Sequence, residues 1–96
     1  MAKTKDEETE YFNKNLLLFI NVKFLSPITI DGRPPSIREY ETITSIGRGT
    51  IDKLLKTEGY DVPMSTIRKV CKYAKISLSE FFTMFEAYLQ EKKLKQ

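Results

Sequence analysis

Ser36 and Ser77 are each followed three residues later by a glutamate, Glu39 and Glu80, and then by apolar residues at helical spacing. In such a capping box the serine oxygen accepts an orphan amide of the first turn, and the glutamate reaches back to the serine amide. Two separate helices are therefore expected to start, at Ile37 and at Leu78. Between residues 26 and 36 the run SPITIDGRPPS forbids regular helix through Pro27, Gly32, Pro34 and Pro35, and Asp31-Gly32 signals a tight turn.

The helix opened by Ser36 has Ile37, Tyr40 and Ile43 as its expected inward positions and ends near Thr44-Ser45. A second short helix follows at once, burying Ile51, Leu54 and Leu55 and turning Arg48, Gly49, Asp52, Lys53 and Lys56 outward. Pro63 and Ser65 announce another, with the stripe Ile67, Val70, Cys71 and Ala74. The last helix, about 78–93, carries Phe81, Phe82, Phe85, Tyr88 and Leu89 as its apolar band. At the front, Phe12, Leu16, Phe19 and Ile20 predict a helix from Glu8 to about Phe24. Leu18, Ile20, Val22 and Phe24 also alternate, so a short strand over 18–25 stays open. Residues 1–10, charged and nearly devoid of apolar side chains, are expected to be a disordered leader. The sum is an all-α chain of about five helices, with 11–96 as a single domain.

Composition narrows the function. A chain of 96 residues can bury one core but not two. Histidine is absent and cysteine occurs once, which removes histidine acid–base catalysis, a Cys/His dyad and the usual zinc ligand sets. No enzyme activity, metal or cofactor is expected. Cys71, inside an apolar stripe, reads as a small buried hydrophobe rather than a reactive thiol. No signal peptide is visible after Met1, and LLLFINVKFL at 16–25 is too short and too polar to span a bilayer, so a cytoplasmic protein without membrane contact is expected. Sixteen basic against thirteen acidic residues give a net charge of +3, compatible with a polyanionic partner.

The order of elements then matters. Two short helices joined by a brief turn form a helix-turn-helix at about 36–56, in which the second helix enters the major groove by its N-terminal end. That helix opens with Gly47, Arg48 and Gly49, although a helical glycine costs about 1 kcal/mol relative to alanine. Small residues at this end let the backbone approach phosphates and base edges, and the free amides of a helix start favour an anion. Arg48 can then reach guanine O6 and N7, while Thr50 offers a methyl to thymine or a hydroxyl to phosphate. Lys53 and Lys56 are candidate phosphate or outer base contacts. Asp52, one turn after Arg48, is expected to pair with it. The glycine-rich GRGT lacks the Gly-Lys-Ser/Thr of a phosphate loop.

The stretch SIREYETITSIGRGTIDKLL, with VPMSTIRKVCKYAKISLSEFF after it, resembles the lambda-repressor-like Cro family of helix-turn-helix regulators, the xenobiotic-response-element class. Ser36, Tyr40, Ile46, Arg48, Thr50, Ile51 and Leu54 fall on that family's slots, as do Pro63, Ser65, Ile67, Lys69, Val70, Ala74, Ile76, Leu78 and Phe81. The resemblance covers about Ser36 to Phe82. It implies a bacterial or phage transcriptional regulator, read here as a repressor, binding double-stranded DNA as a homodimer on a two-fold operator. Ile37 stands in the slot of a DNA-contacting glutamine, Glu41 in a small alanine slot, Ser45 in that of the turn glycine and Gly47 in that of a capping serine. With Ile37 there, the expectation is that phosphate anchoring passes to Arg38 or to Ser36, or that the contact is missing.

Two further expectations bear on partners. Phe85, Tyr88 and Leu89 are expected to form a two-fold contact with a second copy; the alternative is that they complete the core with Leu16, Phe19 and Ile20. Glu39, Glu41 and Asp52 oppose a phosphate backbone and support a competing reading, a helical protein-interaction module of antitoxin or adaptor type with the helix pair as scaffold. The quartet Arg68, Lys69, Lys72 and Lys75 reads as a solvated face, with a flanking phosphate contact as the alternative.

Overall fold

The computed structural model describes residues 2–57 and 59–94; Met1, Glu58, Lys95 and Gln96 lie outside the described residues. The fold is all-helical: α1 (Ala2–Ile20), a π-helical turn (Asn21–Leu25), α2 (Ile37–Thr44), α3 (Arg48–Lys56), α4 (Met64–Ala74) and α5 (Leu78–Leu94). None of these helices is long and apolar enough to cross a membrane.

The first helix differs from expectation at its start. Helical backbone runs back to Ala2, across the leader that was expected to be disordered. The run AKTKDEETE contains no Gly or Pro, and its Ala, Lys and Glu are good helix formers. Once Phe12 to Ile20 nucleate a helix against the core, propagation toward the N-terminus adds one hydrogen bond per residue fixed.

The open question over 18–25 resolves as helix. Val22 is 51% exposed while Ile20, Phe24 and Leu25 are buried, which breaks the strand alternation. The helix widens at its end, the Ser26 amide donating to the Asn21 carbonyl at 2.7 Å, five residues back. A tight hairpin follows: Ile30 and Arg33 exchange two backbone hydrogen bonds around Asp31-Gly32, both at positive φ.

Aromatic rings fill the space between α1 and α5. Phe19 is fully buried, and its ring lies 5.3 Å from Phe81, 5.3 Å from Phe85, 5.4 Å from Tyr88 and 5.7 Å from Phe24. Phe12 meets Phe85 as well, so two rings of α1 converge on the same residue of α5. Phe85 is 1% exposed within this cluster, which corrects its assignment to a dimer contact. Its ring is consumed by Phe12 and Phe19 of the same chain; Tyr88 and Leu89 are half-buried against the same core.

Tyr40 ties α2 to this layer. Its ring is buried, and its hydroxyl donates to the Leu25 carbonyl at 3.1 Å, at the end of the π-helical turn. Burial pushes the Tyr40 phenol above its ordinary value, so it keeps the proton it donates. Tyr40→Phe removes that donor and leaves a buried carbonyl without it. Urea unfolding is expected to show a loss of about 1–2 kcal/mol, with an unchanged m-value.

The inward face of α2 differs in one position. Ile43 is exposed, and Thr44 takes the buried place one helical turn after Tyr40. The reason is the turn that follows. The Thr44 hydroxyl donates to the Tyr40 carbonyl at 2.7 Å and accepts the buried Ile46 amide at 3.2 Å, satisfying a donor that an isoleucine would leave unpaired. In α4, Ile67, Val70 and Cys71 are buried as their spacing predicts, and burial pushes the Cys71 thiol up.

Candidate nucleic-acid interface

The site is built on α2, α3 and the three residues between them. α2 begins with its capping box in place: the Ser36 hydroxyl accepts the Glu39 amide at 3.2 Å, and the Glu39 carboxylate accepts the Ser36 amide at 2.8 Å. Arg33, at the hairpin exit, holds the same carboxylate with two hydrogen bonds of 2.9 Å. That contact was not legible in the sequence, because a six-residue separation across two prolines carries no periodic signal. The Arg33 guanidinium and the Ser36 amide hold the Glu39 carboxyl down to about 2. A depressed folded-state value stabilises the fold above the ordinary carboxylate range, and that contribution disappears as pH falls from about 4.5 to about 2. Acid unfolding of Glu39→Gln is expected to be flatter than wild type over this window.

The turn is Ser45-Ile46-Gly47. Ser45 takes the left-handed conformation with φ 63°, its amide donating to the Glu41 carbonyl at 2.8 Å, and Ile46 inserts into the core with 1% exposure. Gly47 is the N-cap of α3 and offers no side-chain acceptor to the amides of the first turn. Neither Gly47 nor Gly49 has a positive φ, and a Cβ built at either would meet no atom within 4 Å. The fold itself therefore needs neither glycine. Gly49→Ala is expected to raise thermal stability by about 0.5–1 kcal/mol; a melting temperature below wild type would show that the position is packed after all.

Ile51 and Leu54 anchor α3 in the core, and Leu55 is half-buried against it. This rotation leaves Arg48, Gly49, Lys53 and Lys56 exposed and Thr50 half-buried. Arg48 does not pair with Asp52. Its Nε lies 3.3 Å from Glu41 across the turn, whereas Asp52 pairs with Lys56 at 3.1 Å, one helical turn on. The short turn brings Glu41 of α2 beside the first residue of α3, which a helical-spacing argument within one helix does not see. Among the described residues the Arg48 guanidinium donates no hydrogen bond, so its fork is open to a planar acceptor pair. Lys53 sits 5.2 Å above the ring of Tyr60, a cation–π contact that the sequence reading missed. Arg38 is exposed, and among the described residues neither it nor Lys53 belongs to an ion pair. Ser36, Arg38, Arg48, Gly49 and the α3 lysines are thus exposed residues of one two-helix unit and its cap.

No family model, no curated protein and no solved structure matches this chain.

Proposed function

We propose that this protein binds duplex DNA in a sequence-specific manner through the first turns of α3, as a transcriptional regulator of repressor type. One observation carries the reading: the N-terminal turn of α3 holds two glycines that the fold does not require, on either side of an exposed arginine. A helix start stripped of bulk and of a capping side chain presents bare amides to an anion, and Arg48 presents a fork to a guanine edge. Residues 36–56 thereby act as a helix-turn-helix, with Ser36 and Arg38 at the phosphate backbone, Thr50 near the bases, and Lys53 and Lys56 further along the groove. A homodimer would place two such units on a two-fold site, with Tyr88 and Leu89 rather than Phe85 at the contact.

The ion pairs Arg48–Glu41 and Lys56–Asp52 favour a second reading, the helical protein-interaction module, because they offset two of the cations on this face. Selection from random duplex DNA separates the two. A regulator enriches a converged, two-fold site; an interaction module enriches none.

A further inference from the structure

The α2–α3 unit carries Arg38, Arg48, Lys53 and Lys56 against Glu39, Glu41 and Asp52, so its own field is nearly balanced. Phosphate attraction, which supplies most of the affinity that is independent of sequence, needs a stronger source. α4 supplies one. Arg68, Lys69, Lys72 and Lys75, the last being the residue that caps the helix, carry four positive charges, more than the net +3 of the whole chain. The segment Met64–Lys75 contains no Asp or Glu.

Helix rotation puts Arg68, Lys69 and Lys72 on the outside, and Lys75 at the helix cap is exposed as well. Thr66, Ile67, Val70 and Cys71 are buried, and the face opposite them carries Arg68, Lys69 and Lys72, each exposed. Arg68 and Lys72 lie at i and i+4 along one line of the helix, and Lys75 follows at its left-handed C-terminal cap. Among the described residues none of the four is in an ion pair, in contrast to Arg33, Arg48 and Lys56. Asp61 is the nearest carboxylate before the helix in sequence, at the end away from Lys72 and Lys75. From Arg68 to Lys72 the helix advances about 6 Å, the axial length over which one DNA strand presents about two phosphates, and Lys75 lies just past the helix end.

We infer that the outer face of α4 is a docking surface for the phosphate backbone of nucleic acid, independent of base sequence. The choice of duplex DNA as its partner rests on the reading of α3 given above. A lipid surface fits less well, because binding there buries an apolar strip. This line of cations holds none, and Met64 and Tyr73 are the exposed large apolar side chains of α4.

The test is a titration of random-sequence duplex DNA against salt, comparing wild type with Arg68→Gln/Lys72→Gln/Lys75→Gln. The triple variant is expected to bind at least about tenfold more weakly at low salt. Its slope of log affinity on log salt should be shallower by about two to three. The charge-preserving variant Arg68→Lys/Lys72→Arg/Lys75→Arg is expected to bind as wild type does, which separates charge from folding. An unchanged affinity and slope in the neutral variant would overturn the inference, as would wild-type preference for vesicles containing phosphatidylserine over duplex DNA. A salt-dependent loss in the neutral variant, in a protein that selects no converged site, would sink the α3 reading and leave this inference standing.

Discussion

Phe19→Ala is expected to lower the unfolding free energy by about 3–5 kcal/mol, the largest single effect of any substitution considered. Phe19 is fully buried and lies in ring contact with Phe24, Phe81, Phe85 and Tyr88, which join α1, the π-helical turn and α5. Truncation removes the transfer energy of the ring and leaves a cavity bounded by four rigid side chains that collapse poorly into it. It also deletes edge-to-face contacts worth about 0.5–1.5 kcal/mol each beyond area burial. A domain of this size has a total stability of about 5–15 kcal/mol, so the variant should unfold at a much lower urea concentration and populate unfolded chain on warming. Phe12→Ala is the matching control. Phe12 touches Phe85 but is 44% exposed, and its truncation should cost far less. Equal losses at the two positions would mean that α1 and α5 pack through a different seam.

Arg48→Ala separates recognition from folding. Its guanidinium is more than half exposed, and its pair with Glu41 at 3.3 Å is a surface ion pair of the kind that contributes little to stability. The unfolding free energy should therefore change by no more than about 0.5 kcal/mol. Against a selected duplex the same change should cost about 1–3 kcal/mol, the value of a bidentate contact to guanine, while random-sequence duplex loses much less. Arg48→Lys should not rescue the loss, because an ammonium has no planar fork to match O6 and N7. Full-strength binding of a selected site by Arg48→Ala would assign base reading to a different residue.

Much of this fold was legible because its helices announce themselves. The two Ser-x-x-Glu starts, the Asp31-Gly32 turn and the stripes of α3 and α4 each depend on contacts within a few residues, which spacing reports directly. The misreadings lie where a distant partner decides. Thr44 replaces Ile43 inside because the buried Ile46 amide needs an acceptor. Phe85 is core because Phe12 and Phe19 of another helix reach it. The leader is helical because a neighbouring segment nucleates it, and residues 7–10 of it are exposed. In the candidate site, the exposure of Arg48, Gly49, Lys53 and Lys56 followed from the α3 stripe, whereas the Arg48–Glu41 and Lys53–Tyr60 contacts depend on how α3 meets its neighbours.

The central claim is that the first turn of α3 is kept bare for the approach of DNA. Amide chemical-shift mapping on addition of a selected duplex tests it most directly, since the amides of residues 47–50 report that approach themselves. The largest changes are expected at Gly47, Arg48, Gly49 and Thr50, with smaller ones at Ser36 and Arg38. Changes confined to other faces of the protein, with residues 47–50 unmoved, would contradict it.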